Sequence, residues 1–269
     1  MLKEYFTLLE QREINIAEEY RKSIIPKTLY KYIPLGKNEE SNKKRFHSLM
    51  NNKAWVTPIE YFNDPYEFSC MYIDRERLLE AGYSNTDIDC FNRLFSSLIN
   101  RWDVLALSYA GVNCLPMWAY YTNNYQGFCV EYEVKNPSAI FPISYEPNRV
   151  PVARLILESL RTFKDMFDKH EKTSPDAEFY ASIIRYQMFM KHESWKHEHE
   201  YRIIYPHNPK SEKGQNVELA DLGLKTKRII AGLYCSEINK NELTRISNKL
   251  GCGEIYCCKL SKEQFTLFE

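Results

Sequence analysis

The sequence lacks any imbalance of charge: 36 lysines and arginines stand against 36 aspartates and glutamates, for a formal net charge of zero. A chain that lives on phosphate contacts usually shows a basic excess, so binding to nucleic acid would need a local patch. No apolar run approaches the ~18 residues of a membrane span. The start, Met1-Leu2-Lys3-Glu4-Tyr5, is polar and acidic by its fourth residue, unlike a signal peptide. The expectation is a cytoplasmic protein with no membrane partner. No C-x-x-C pair occurs among the eight cysteines at 70, 90, 114, 129, 235, 252, 257 and 258. They sit in apolar or aromatic contexts such as Gly127-Phe128-Cys129-Val130, which reads as small buried hydrophobes in a reducing compartment. Cys257 and Cys258 would point to opposite faces of a strand, against a shared zinc ion. His192-Glu193 lacks the second histidine, three residues on, that a zincin helix needs. Repeats, low-complexity runs and Gly/Ser linkers are also absent.

What is present is enough apolar material, 44% of 269 residues with 14% aromatic, for one substantial core or two small ones. Apolar positions at Leu2, Tyr5, Phe6, Leu9, Ile16 and Tyr20 predict a helical arm over residues 1–27, closed by Pro26. Residues 28–269 then read as one α+β domain with a mixed sheet and flanking helices. Strands are expected at 29–33, 54–57, 104–109, 127–134, 200–205, 228–235 and 254–260. Helices are expected from an N-cap at Ser41, at 74–81, 86–100, 117–121, 151–169, 176–191 and 237–249.

Four clusters carry chemistry. In Glu193-Ser194-Trp195-Lys196-His197-Glu198-His199-Glu200-Tyr201-Arg202-Ile203, a strand's period of two would put Glu198, Glu200 and Arg202 on one face. So much charge on one strand face costs desolvation unless the face lines a cleft or the charges pair. Asn63-Asp64-Pro65 is turn chemistry, and equally a loop wall offering amide and carboxylate groups to a polar ligand. The run from Pro116 to Phe128 puts Trp118 and Tyr121 at helical spacing, then Asn123, Asn124, Gln126 and Gly127, which suits a core or a small-molecule pocket. Leu29-Tyr30-Lys31-Tyr32 places one lysine between two tyrosines, as on an exposed edge strand.

These motifs in this order, with Gly127-Phe128-Cys129-Val130-Glu131-Tyr132 after the aromatic helix, resemble the prokaryotic and phage family known as domain of unknown function 2971, from about residue 28 to 260. More distantly they look like the ADP-ribosyltransferase fold and its split sheet, one branch of which carries Glu-x-Glu, as Glu198-His199-Glu200 does. That resemblance implies a transferase that takes NAD and modifies an unknown protein or nucleic-acid acceptor, in phage defence or toxicity. Glu200 would hold the nicotinamide ribose and stabilise an oxocarbenium-like transition state, and Glu198 would orient or deprotonate the acceptor. Tyr30, Lys31, Asn63, Asp64, Trp118, Tyr121 and Arg202 would line the cofactor, with Trp118 or Tyr121 stacked on a ring. Lys31 stands where the branches carry histidine or arginine, and no Ser-Thr-Ser strand accompanies the Glu-x-Glu. Two other readings remain open. One is an effector acting on nucleic acid, with Asp64, Glu67, Glu198 and Glu200 around Mg²⁺. The other is a non-catalytic binding or sensor module, in which Glu198, Glu200 and Arg202 are a structural ion network.

Overall fold

Thr28–Ile33 alternates its side chains across a pleat, and in the computed structural model it pairs on both sides within a nine-stranded sheet. The structure describes residues 2–151, 159, 162, 169–170, 179, 187–211, 213–264 and 266–268. In chain order the elements are α1 (Leu2–Glu10), α2 (Ile14–Ser23), β1 (Thr28–Ile33), α3 (Glu39–Met50) and β2 (Lys53–Pro58). Then come β3 (Met71–Tyr72), α4 (Arg75–Glu80), α5 (Asn85–Ile99), β4 (Trp102–Ser108), α6 (Leu115–Tyr121) and β5 (Phe128–Val134). Short strands follow: β6 (Ile140–Pro142), β7 (Ser144–Glu146), β8 (Val150–Pro151) and β9 (Met190–His192). The last third holds β10 (Glu200–Pro206), β11 (Gln215–Glu218), β12 (Leu224–Ala231), a helix Glu237–Leu250, β13 (Tyr256–Cys257), β14 (Lys259–Leu260) and β15 (Leu267–Phe268). The fold is α+β. Among the described residues no helix is long and apolar enough to cross a membrane.

Two compact units share the chain: residues 1–24, 58–103 and 143–193 form the first, and 25–57, 104–142 and 194–269 the second. The helices expected as a separate arm therefore group with two later segments. In that first unit α1 and α2 form a hairpin. Arg12 adopts a left-handed φ of 61° and stops α1, so the apolar phase does not run on into α2. Tyr5 and Leu9 are buried on α1, but α2 buries Ala17 and Arg21 and leaves Ile16 exposed. Glu18 accounts for the buried arginine, accepting from Arg21 Nε at 3.0 Å and from the Tyr5 hydroxyl at 2.9 Å. A reciprocal Ser84–Asp87 capping box starts α5. Most of the expected helices 151–169 and 176–191 lies outside the described residues. The end of the second is described, and is a 3-10 turn (Gln187–Phe189) leading into β9.

In the second unit the strand order is β11-β2-β4-β1-β5-β12-β13, with β10 joined to β4 and β6. β5 lies between β1 and β12, antiparallel to both, with Cys129 opposite Tyr32 on one side and Ile230 on the other. One set of alternate residues, including Leu29, Val130, Tyr132 and Ile229, shares a core with Phe46 and Leu49 of α3 and Leu243 and Ile246 of the later helix. The other set, Tyr32, Cys129 and Ile230, is covered by Met117 and Trp118 of α6. Asn38 rather than Ser41 caps α3, accepting from the Ser41 N–H at 3.0 Å, so the helix begins earlier than expected. The expected strand 254–260 is two short strands, β13 and β14.

Gly127 sits where the chain enters β5 against the end of β1. A Cβ there would lie 2.1 Å from the Ile33 carbonyl oxygen and 3.0 Å from the Leu35 nitrogen, so backbone would have to move. At Gly36 the nearest atom to an added Cβ is the Asn123 side-chain nitrogen at 3.5 Å, an ordinary contact. Denaturant unfolding should show Gly127→Ala less stable by about 2–4 kcal/mol, with Gly36→Ala within about 0.5 kcal/mol of wild type.

Candidate functional site

β1 and β4 run antiparallel but pair at one register only, Tyr30 opposite Ser108. The next residue of β1 is Lys31, and its ammonium donates to the Ala106 carbonyl at 2.9 Å. A side chain of β1 thus bonds the backbone of β4 just beyond the strand pairing. β4 also pairs with β10, and its C-terminal end clamps the turn that leads into β10. The Ser108 hydroxyl donates to the Glu198 carbonyl at 2.6 Å, and the Tyr109 N–H donates to the His199 carbonyl at 2.9 Å.

The local backbone corrects the expected strand face. Glu198 closes a 3-10 turn (Glu193–Glu198), and His199 has a left-handed φ of 44° before β10 begins at Glu200. Glu198 therefore lies outside the strand, while Glu200 and Arg202 share a face of it as expected. All three are buried, at 3%, 5% and 0% exposed. Arg202 donates to Glu200 through two nitrogens, Nε to Oε1 at 2.7 Å and Nη2 to Oε2 at 3.1 Å, a bidentate pair. Glu198 accepts a short hydrogen bond from the Tyr121 hydroxyl. Burial pulls the Lys31 ammonium down to about 8, against the opposing pull of Glu200 and Glu198. Tyr121 with Glu198 and Arg202 with Glu200 make two bonded pairs, and both carboxylates act electrostatically on Lys31.

α6 brings Tyr121, but not Trp118, to Glu198. Trp118 is fully buried, packs edge-on to Tyr32 with ring centroids 5.2 Å apart, and donates from Nε1 to the Val112 carbonyl at 2.8 Å. A ring so enclosed offers no face for a ligand to stack on, so the expected role of Trp118 is corrected to core packing. After α6, Asn123, Asn124 and Tyr125 are all left-handed, with φ of 53°, 53° and 66°. Asparagine tolerates that region, but tyrosine is strained there. The loop aims Asn123 Nδ2 at the Leu35 carbonyl, 2.9 Å away. Asn123 and Tyr120 help line a cavity of about 410 Å³ with Lys37, just before α3, and Ser41 and Arg45 on it. Tyr120 also meets His197 edge to ring at 6.1 Å, so the cavity adjoins the turn carrying Glu198. Ser108, Tyr120 and Arg45 were not singled out in the sequence: each stands in an ordinary strand or helix pattern with no local signature.

Tyr30 belongs to a different charged group. Burial and the Glu131 carboxylate raise its pKa. Glu131, 1% exposed, accepts from Lys227 Nζ at 2.7 Å and, over a short contact, from Arg228 Nε. A β-bulge between Thr226 and Arg228 explains how neighbouring residues both reach one carboxylate. Asn63 and Asp64 are part of the first unit. Asp64 Oδ1 accepts from the Tyr66 N–H at 2.9 Å, the turn chemistry expected of Asn-Asp-Pro, while its buried Oδ2 has no hydrogen bond among the described residues. Among the described residues no group of three or more histidine, cysteine, aspartate or glutamate side chains is placed to hold a metal ion. Cys70, Cys129, Cys235 and Cys258 are buried, Cys114, Cys252 and Cys257 half-buried, and Cys90 exposed.

Residues 117–203 match the model of a family described as protein of unknown function (DUF2971). The matched segment spans 87 of the 269 residues. It runs from α6 into β10, narrower than the span expected from the ordered motifs, and it contains Tyr121, Glu198, Glu200 and Arg202. Lys31 lies outside the DUF2971 match but within the electrostatic reach of Glu198 and Glu200. No curated protein and no solved structure matches the chain.

The Arg202–Glu200 pair makes a sharp prediction. Arg202→Leu leaves a buried carboxylate without its guanidinium and should cost about 3–5 kcal/mol in urea unfolding, with much of that recovered in the double variant Glu200→Leu/Arg202→Leu. Lys31 makes a second. Its folded pKa of about 8 lies below its ordinary 10.5, so between these values the unfolded chain holds a proton that the folded chain does not. Its contribution to stability therefore rises with pH across that window. Unfolding of wild type and Lys31→Met, compared from pH 7 to 10.5, should show wild type gaining on the variant.

Proposed function

We propose that this chain is an ADP-ribosyltransferase-like enzyme that takes NAD and acts on a macromolecular acceptor. The reading is carried by one observation: where β1 and β4 part, Lys31 is buried within the electrostatic reach of Glu198 and Glu200, and Glu200 is fixed by a bidentate bond from Arg202. Cleaving a glycosidic bond to nicotinamide builds positive charge on the ribose. A carboxylate already fixed in place stabilises that charge without reorganising. Glu200 meets this requirement because Arg202 holds both of its oxygens. Glu198, reached by the Tyr121 hydroxyl, is the candidate base for the acceptor. Lys31, held near 8, can donate to a ribose hydroxyl and exchange its proton near neutral pH.

The side chains present suit NAD at two places. The carboxylates and Lys31 suit ribose hydroxyls, and Lys37 and Arg45 in the adjoining cavity supply cations for a pyrophosphate. When bound, NAD would supply the ADP-ribosyl group. Tyr121 takes over alone the aromatic role that Trp118 cannot fill.

A second reading rests on its own observation. The fully buried bidentate pair is also what a structural ion network looks like, and such a network would hold β10 in a non-catalytic binding module. Nicotinamide release from NAD⁺ by the purified chain separates the two. The enzyme reading expects release by wild type, falling at least about 100-fold in Glu198→Gln and in Glu200→Gln. Both variants are assayed below their own unfolding temperature, because Glu200 also supports Arg202. No release by wild type, or unchanged release in both variants, contradicts it and favours the network.

A further inference from the structure

The first unit holds a cavity of about 480 Å³ that the proposed transferase chemistry does not use. Its size falls in the usual range for small-molecule sites. Two short parallel ladders build its walls. β3 pairs with β8, setting Met71 opposite Val150 and Tyr72 opposite Pro151. β7 pairs with β9, setting Tyr145 opposite Lys191 and Glu146 opposite His192. Tyr66, Tyr72, Glu146, Arg149, Lys191 and His192 line the space between.

Arg149 organises one side. Its guanidinium lies over two rings, 5.2 Å from the Tyr72 centroid and 5.8 Å from that of Tyr66. It is fixed there by Nε donating to the Ser69 carbonyl at 2.6 Å and Nη2 to the Met71 carbonyl at 3.3 Å. Tyr66 and Tyr72 nevertheless remain 59% and 38% exposed. Large rings left that open, with a guanidinium held between them, are not filling a core. Lys191 lines the other side. Its buried ammonium stands 3.6 Å from the Glu67 carboxylate. Glu146 is the acidic member of the lining, and accepts from the Ser144 hydroxyl at 2.6 Å.

We infer that this pocket binds a nucleotide, its base against the tyrosine rings and its phosphate toward Arg149 and Lys191. Stacking on tyrosine with an arginine alongside suits any base, because every base has a π-face. Arg149 and Lys191 give the anion its counter-charge, and Glu146 can accept from a ribose hydroxyl or a base amino group. The same chemistry serves a free nucleotide or one unit of a single strand. The neutral chain then needs no global basic excess, because the cations are local.

The test is calorimetric titration of the full chain with adenosine monophosphate and, separately, with a single-stranded oligoadenylate. Variants are Tyr66→Ala, Tyr66→Phe and Arg149→Gln, all at exposed positions. Saturable binding of either ligand, about tenfold or more weaker in Tyr66→Ala and in Arg149→Gln but kept in Tyr66→Phe, supports the pocket. Monophosphate binding assigns a free nucleotide, and binding of the oligoadenylate alone assigns a strand. Absence of binding to both ligands overturns the inference, and so does binding that Tyr66→Ala and Arg149→Gln leave intact.

Discussion

Arg202 carries its guanidinium to a place that is fully buried, and Glu200, two residues earlier on the same strand, meets it with both carboxylate oxygens. Removing two charges from water is expensive, and only close, two-point geometry offsets the cost. Much else about the second unit follows from keeping that pair. β10 must stay straight from Glu200 through Arg202, so the chain enters it through a left-handed His199. Ser108 and Tyr109 clamp the entry turn by its carbonyls. Glu198, displaced from the strand by that turn, needs its own partner and finds the Tyr121 hydroxyl.

The sheet accommodates the charge by opening. β1 and β4 share one pairing, after which the Lys31 ammonium bonds the Ala106 carbonyl. Burial pulls the Lys31 ammonium down to about 8, and Glu200 and Glu198 oppose that pull. Structure and proposed chemistry thus draw on one arrangement: the junction that fixes the Glu200 carboxylate also buries the Lys31 ammonium. The strained loop after α6, with three successive left-handed residues, is the other cost in this region, and it sets Asn123 at the rim of the neighbouring cavity.

Much of this was legible in the sequence, for physical reasons that can be named. Strands such as 29–33 and 128–134 declare themselves by alternation and β-branched or aromatic residues, and the short α6 by its proline start and aromatic spacing. The pairing of Glu200 with Arg202 follows from the period of two alone. Glu198 was misplaced because no sequence rule signals a left-handed histidine before a strand. Trp118 stayed open between core and pocket because an aromatic next to asparagines looks alike whether it faces a ligand or a core. Arg12 broke the expected helical face in the same silent way, and Asn38 took the cap expected of Ser41. The junction of β1 with β4 and β10 was out of reach, since it depends on which strands meet and not on any one of them. Lys31 therefore read as an edge lysine, although its charge is internal to the site.

The central claim is that Lys31 shares one electrostatic site with Glu198 and Glu200. The direct measurement is the pKa of the Lys31 ammonium by nitrogen-detected NMR, in wild type and in Glu198→Gln and Glu200→Gln. The account predicts a value near 8 in wild type that falls further when either carboxylate is neutralised. A value near 10.5, unmoved by both substitutions, would show that Lys31 is an ordinary solvated lysine and that the proposed site does not exist.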